Sequence, residues 1–276
     1  MAPAMSVRSG CSRYLEAGNV RLCYRDDGRG PALVLIHGWL LDSTMWAGQV
    51  TAWSPRFRVL RLDRRGFGES AGSPDLAADA GDVLRLLDRL GIRRAAVLGM
   101  SQGARIALHL ADTAAERVAC LVLDGTPALA GLQGDRTSET PVEHYRSLLV
   151  EQGIDALHDE LATHPLMQLR TRDSAARAML DAMLQRYDGA DLLAAPSASI
   201  DVAPGRLAQL EPPVLLLNGA LDTPVRLRVA EALAGLLPVA ERQVLPSAGH
   251  LACLDARETY SAVVLEFLTR NLNRWA

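Results

Sequence analysis

Short apolar runs bounded by turn-forming residues punctuate the chain: Leu33–Ile36, Val59–Leu62, Ala95–Leu98, Val118–Leu123, Val214–Leu217 and Gln243–Leu245. Runs of this length predict buried strands. Between most of them, apolar residues recur at helical spacing, as in Leu76–Leu90, Gln102–Ala111 and Pro224–Leu237, with Arg257–Leu272 as a closing helix. Gly91 follows the first of these as a C-terminal cap. Upstream, Arg13–Leu15 and Val20–Tyr24 predict an antiparallel hairpin turning at Gly18-Asn19. Strands alternating with helices imply an α/β fold, a mainly parallel sheet covered on both faces.

The alternation stops between about Pro127 and Pro204, where only helical patterns remain: Val142–Glu151, Asp155–Ala162 and Ala175–Tyr187. A polar, turn-rich stretch (Gly131–Pro141) precedes them, and Ala194–Pro204, rich in Ala, Ser and Pro, follows. The expected organisation is a core domain from 1–130 and 205–276, with 131–204 inserted as a helical cap before the last two strands.

Composition narrows the function classes. The chain has 276 residues, 49% hydrophobic, enough to bury a sizeable core, and its net charge is −3 without a basic stretch. Neither a nucleic-acid partner nor an anionic membrane surface is implied. No apolar run approaches the ~18 residues of a membrane span, and the start MAPAMSVRSG is too polar for a signal peptide, so a cytoplasmic protein is expected. The cysteines Cys11, Cys23, Cys120 and Cys253 form no CxxC pair and read as reduced thiols. All 29 basic residues are arginine, which excludes a Schiff-base lysine and a P-loop lysine. No cofactor or metal is implied.

The sharpest chemical signal is Gly99-Met100-Ser101-Gln102-Gly103, between the run ending at Leu98 and the helix opening at Gln102. A strand that turns abruptly into a helix while holding a hydroxyl outward needs a strained backbone at Ser101 and no Cβ two residues either side. The helix N-terminus and the Gln102 N–H are then placed to stabilise developing negative charge.

A serine hydroxyl needs a base within reach. His250, in Pro246-Ser247-Ala248-Gly249-His250, follows the last strand and projects over the same sheet edge as Ser101. His109 lies in the helix after Ser101, while His144, His158 and His164 fall in the insertion; His158 and His164, six apart, share no helical face for a metal. A carboxylate should orient the base. Asp222, after the strand Val214–Leu217, completes the order Ser, Asp, His; Asp124, after Val118–Leu123, is the rival.

A second oxyanion donor is expected from the loop His37-Gly38-Trp39-Leu40, from the Trp39 N–H or, second, from Leu40. Gly66 and Gly68 in DRRGFGES, with Ala71 just after it, match a dinucleotide fingerprint, but Gly72, Ser73 and Pro74 stand where its helix would run. A tight loop, with Asp63 and the arginines in local hydrogen bonds, is expected instead.

The blocks LVLIHGW, DRRGFGES, GMSQGA, VLLLNGALDTPV and PSAGH, in that order, resemble the α/β-hydrolase superfamily over nearly the whole chain. HGWLLDSTMW and RLDRRGFGES look most like the cofactor-free haloperoxidase and aryl-esterase branch, with 3-oxoadipate enol-lactone hydrolases and carbon–carbon-bond hydrolases also similar. The resemblance implies an eight-stranded sheet with one antiparallel strand, a helical cap and a ping-pong acyl-serine mechanism. Two departures stand out: Ser101-Gln102-Gly103-Ala104 replaces a common Ser-Met-Gly-Gly, and Leu40 stands where strong perhydrolases often carry Pro.

The resulting expectation is an ester or lactone hydrolase using Ser101, Asp222 and His250, with Trp39 and Gln102 as oxyanion donors and a small-molecule ester as partner. Acyl transfer, carbon–carbon-bond hydrolysis and slow-turnover ligand sensing would use the same residues. Leu148, Leu149, Met167, Met179 and Met183 suggest an apolar cap, and one of Arg146, Arg170, Arg172, Arg177 and Arg186 could bind a substrate carboxylate.

Overall fold

Each strand of the sheet centre is apolar on both faces, and the two faces feed different cores. In β3 (Ala32–Ile36), Leu33 and Leu35 join one cluster while Val34 and Ile36 join the other. The same alternation divides Leu215 and Leu217 from Val214 and Leu216 in β7 (Val214–Gly219). In the computed structural model, which describes residues 12–18, 20–126, 129, 131–132 and 140–275, these strands belong to one eight-stranded sheet.

The remaining strands are β1 (Arg13–Ala17), β2 (Val20–Asp27), β4 (Arg58–Leu62), β5 (Ala95–Met100), β6 (Val118–Asp124) and β8 (Ala240–Leu245). Their order is β1-β2-β4-β3-β5-β6-β7-β8, and β2 runs antiparallel to both neighbours while the pairs from β4 to β8 are parallel. The chain leaves β3 for β4 on one side and returns to β5 on the other. That reversal opens a crevice at the carboxyl ends of β3 and β5, the place where such sheets bind ligands.

Three helices, α1 (Ala47–Trp53), α2 (Leu76–Arg89) and α3 (Gln102–Thr113), connect the first parallel strands. Asp75 caps α2 by accepting from the Ala77 N–H at 3.0 Å, and Gly91 at φ +65° follows its end. α1 contributes Val50 and Trp53 to one core, and α2 and α3 supply Leu86 and Ile106 to the other.

Between β6 and β7 the described residues hold helices and no strand: α4 (Val142–Gln152), α5 (Ile154–Thr163), α6 (Ser174–Arg186), α7 (Ala190–Leu193) and α8 (Pro204–Leu207). The first four share a core with one sheet face, because Tyr145, Leu157, Leu180 and Leu192 lie in the same cluster as Leu33 and Trp46. After β7 come α9 (Pro224–Leu236), α10 (Ala252–Asp255) and α11 (Arg257–Arg270).

The hairpin is longer than its apolar residues predicted, and β8 extends back to Ala240 because it is an edge strand with Glu241 half-exposed and Arg242 exposed. Its turn residue Asn19, the N-terminal ten residues, Cys11 and most of Gly131–Pro141 lie outside the described residues. Cys23, Cys120 and Cys253 are buried free thiols, and burial pushes Cys120 up to about 12. No helix of the described residues is long and apolar enough to cross a membrane.

Candidate active site

β5 delivers Ser101 at its carboxyl end and α3 begins at the next residue. Ser101 adopts φ 54°, ψ −115°, a left-handed backbone that a side chain rarely tolerates. The turn is tight: a Cβ on Gly99 would lie 2.1 Å from the Gly103 carbonyl oxygen, and one on Gly103 would lie 2.4 Å from that of Ile36. The Ser101 N–H donates to the Asp124 carbonyl at 2.7 Å, tying the turn to β6. Gln102 is the first residue of α3, so its N–H has no acceptor within the helix.

His250 follows β8 and is buried, 4% exposed, with its Nδ1 3.2 Å from Asp222 Oδ2. Asp222 stands in the loop between β7 and α9, where it accepts from the Thr223 N–H at 2.7 Å and from Asn218 Nδ2 at 3.4 Å. Burial alone would raise its carboxyl, but the charge and hydrogen bond of His250, together with Arg226, hold it below the usual carboxylate value. An anionic Asp222 accepting at Nδ1 leaves Nε2 as the basic nitrogen of the imidazole.

Asp124 is committed elsewhere. Tyr260 donates to its Oδ2 at 3.1 Å, and complete burial pushes its pKa well above the ordinary carboxylate value. Of the six histidines of the chain, only His250 lines the cavity above Ser101. His158 bonds the Tyr187 carbonyl at 2.7 Å, His144 pairs with Glu160 at 2.7 Å, and the His164 side chain accepts from the Leu166 N–H.

On the other side of Ser101, a Cβ on Gly38 would meet Met100 Sδ at 2.6 Å and Ser101 Cβ at 3.3 Å, so the β3 loop presses against the serine. Among the described residues Leu40 joins Ser101 as a non-glycine residue with a left-handed φ, 66°. Trp39 lines the cavity, and its Nε1 donates to Asp191 Oδ2 at 2.8 Å; Tyr187 donates to the other oxygen at 2.6 Å. His37 is buried as a neutral imidazole. Its Nδ1 faces the Gly38 carbonyl at 2.8 Å, its Nε2 accepts from the Arg64 N–H at 3.0 Å, and burial lowers its pKa. This residue, unassigned by sequence, joins the β3 loop to the β4 loop.

The DRRGFGES segment is a turn with Gly66 at φ 73° and Gly68 at φ 56°. Asp63 gathers the Ser43 N–H at 2.7 Å and the Glu69 N–H at 3.0 Å, and the Arg64 carbonyl accepts from the Phe67 N–H at 3.0 Å, but the arginine side chains reach out of the turn. Arg64 donates to the half-buried Gln102 Oε1 at 2.6 Å on α3, and Arg65 grips the buried Asp82 at 2.7 Å on α2.

The cavity measures about 510 Å³ and lies between the strand ends and the inserted helices. Of the apolar residues singled out in the insertion, Met167 lines it, whereas Met183 is buried in the core and Leu148, Leu149 and Met179 pack against it. Of the five arginines singled out there, only Arg146 lines the cavity, and it is held by Glu143 at 2.7 Å and the Leu192 carbonyl at 2.6 Å. Arg170, Arg172 and Arg177 are exposed, and Arg186 binds Asp42 at 2.6 Å. The cations nearest the chemistry come instead from the core: Arg64, Arg105 and Arg226. Nothing in the local sequence around Arg226 marks it, since an arginine two residues after Pro224 reads as a helix-surface residue.

Residues 31–256 match the model of the alpha/beta hydrolase fold family. The chain belongs to this family. It is 28% identical to the pimeloyl-[acyl-carrier protein] methyl ester esterase of Vibrio campbellii, over 90% of this chain and 99% of that protein. Among solved structures, a hydrolase from Pseudomonas aeruginosa superposes with a TM-score of 0.79 at 29% identity, covering 94% of this chain and 98% of the other. The enol-lactonase of Burkholderia xenovorans superposes with a TM-score of 0.77 at 28% identity, covering 93% and 100%. Esterase- and lactonase-type relatives support hydrolase activity for the chain.

Proposed function

We propose that the chain is a serine hydrolase of small to medium carboxylic esters or lactones, working through an acyl-serine intermediate. The observation that carries this reading is the shared cavity of Ser101 and His250, with Asp222 bonded to the far nitrogen of the imidazole. Ser101 Oγ attacks the carbonyl carbon while its proton passes to His250 Nε2. The imidazolium that forms is stabilised by Asp222. The oxyanion is held by the N–H groups of Gln102 and Trp39, with the α3 N-terminus behind the first. His250 then returns the proton to the departing alkoxide, and water repeats the sequence to release the acid.

Residues 131–204 act in this reading as the cap over the core formed by 1–130 and 205–276, and the substrate is enclosed between them. The methyl ester esterase and enol-lactonase relatives support an ester or lactone as substrate.

A fluorophosphonate probe and a series of p-nitrophenyl esters test the assignment. The native protein should be labelled and turn over short to medium chains, and Ser101→Ala should do neither. Equal labelling of both proteins would remove Ser101 from the mechanism.

A further inference from the structure

Trp39 is held from the inserted helices. Its indole Nε1 donates to Asp191 Oδ2 at 2.8 Å, and Asp191 stands on α7. Tyr187, just after α6, donates to the other carboxylate oxygen at 2.6 Å and meets the indole edge-on, with ring centroids 6.3 Å apart. Tyr145 of α4 flanks the same indole at 5.8 Å. Each oxygen of this cavity-lining carboxylate therefore already accepts a hydrogen bond from a side chain.

The anchor is itself fixed. The Tyr187 carbonyl is bonded by His158 of α5 at 2.7 Å, and the Leu192 carbonyl accepts from Arg146 Nε of α4 at 2.6 Å. Between them, the Ala190 N–H donates to Asp188 Oδ1 at 2.9 Å. Asp191 is thus carried on a segment tied down at both ends.

The loop that Trp39 belongs to needs such a hold. Leu40, the next residue, has a left-handed φ of 66°, and a conformation of that kind persists only where its surroundings enforce it. His37 secures the start of the loop by accepting from the Arg64 N–H at 3.0 Å, and the Trp39 indole secures the middle. A shift of the indole moves the Trp39 peptide, whose N–H the reading above assigns to the oxyanion.

The other oxyanion donor reaches the same cluster. Gln102 Oε1 accepts from Arg64 Nη1 at 2.6 Å, the Arg64 guanidinium lies 4.4 Å from the Phe67 ring centroid, and Phe67 stacks on Tyr187 at 6.2 Å. One chain of contacts thus runs from Gln102 through Tyr187 and Asp191 to Trp39.

We propose that Asp191 is a positioning residue for the reaction: from the inserted helices it holds the Trp39 indole, and through it the peptide N–H that binds the oxyanion. The proposal rests on the ester-hydrolase reading above and makes the oxyanion hole a joint product of the sheet and the insertion. Seating the inserted helices and completing the hole are then one event.

The test uses the full chain and p-nitrophenyl butyrate. Asp191→Asn keeps the shape but turns an amide N–H toward one of two donors. Trp39→Phe keeps an aromatic ring and the peptide N–H and removes the anchored group. Each should lower kcat and kcat/KM alike by about 10–100-fold, since a whole oxyanion donor is worth about 10²–10³-fold and here it is displaced, not lost. The variant Asp191→Asn/Trp39→Phe should be no slower than the slower single one, because both changes remove the same bond. Affinity for an aliphatic trifluoromethyl ketone, whose Ser101 hemiketal carries the oxyanion, should fall by the same factor as kcat/KM. Arg186→Gln breaks a different tie of the insertion, the Asp42 pair at 2.6 Å, and should lower Tm while leaving kcat unchanged. Losses that multiply in the double variant, a change confined to KM, or an equal loss of kcat in Arg186→Gln overturns the proposal and leaves the ester-hydrolase reading standing. If Asp191→Asn does not fold, Trp39→Phe decides alone: a matched loss of kcat and ketone affinity supports the proposal, and wild-type values of both overturn it. A native protein that neither takes the fluorophosphonate label nor turns over esters retires the reading, and the proposal falls with it.

Discussion

Gly125 lies against the flat edge of the His250 imidazole: a Cβ on Gly125 would stand 2.8 Å from Cε1 and 2.9 Å from Nδ1. Gly125 also has φ 54°, a conformation that disfavours a side chain. Gly125→Ala should therefore push the imidazole off Asp222 and away from Ser101. The expected loss in kcat/KM on p-nitrophenyl butyrate is about 100-fold, the cost of roughly an ångström of misplacement. A rate near that of the wild type would mean that His250 is not the base.

The two acidic candidates separate cleanly. Asp222→Asn leaves the shape intact but turns a donor toward Nδ1 and favours the wrong tautomer, which should lower kcat about 10⁴-fold. Asp124→Asn should stay within a few-fold of the wild type, because the His250 imidazole is bonded to Asp222 and an amide oxygen at 124 can still accept from Tyr260. Reversed results in the same assay would move the acid to Asp124.

Asp255 ties two parts of the molecule together. Its Oδ1 accepts from the Arg170 N–H at 2.6 Å and the Thr171 N–H at 3.0 Å, and its Oδ2 accepts from the Gly249 N–H at 2.7 Å, next to His250. Asp255→Ala should cost about 1–3 kcal/mol of stability and lower kcat about tenfold by loosening the His250 loop. Thermal melts and steady-state rates check both. A melting loss with unchanged kcat would confine Asp255 to a structural role.

Asp79 carries a stability dependence on pH. Burial pushes its carboxyl up to about 7, against the pull of Arg64. Because the folded state holds the proton more tightly than the unfolded state, this residue stabilises the fold least at high pH: its contribution falls as pH rises from about 4 toward 7 and stays low above. Asp79→Asn should flatten that part of the Tm–pH profile. A slope identical to that of the wild type between pH 4 and 7 would contradict this account.

The central strands were legible because burial on both faces leaves no polar position to blur them. β8 was read short for the opposite reason, since Glu241, Arg242 and Gln243 are partly or fully exposed on the sheet edge. α1 escaped prediction because Gln49 is as buried as its Val50 and Trp53, with its Nε2 on the Cys253 carbonyl at 2.6 Å. Ser101, Asp222 and His250 stand out in sequence because each is flanked by a strand and a local signal. Arg226 and Asp79 carry no such context. Each sits in a helix, where a charged residue ordinarily marks the solvent face, and only the tertiary packing turns it inward.

Ser101 and Leu40 are the two non-glycine residues of left-handed backbone among those described, on the two loops that the proposed mechanism brings around one carbonyl carbon. Such conformations cost about 1–3 kcal/mol each, and glycine would relieve the cost at either position. A library of this protein enriched only for survival of heat would accumulate Ser101→Gly early. Its members would fold better while losing the hydroxyl. Robustness and turnover therefore compete for the same few degrees of one dihedral angle, and only selection for the chemistry keeps a serine in that place.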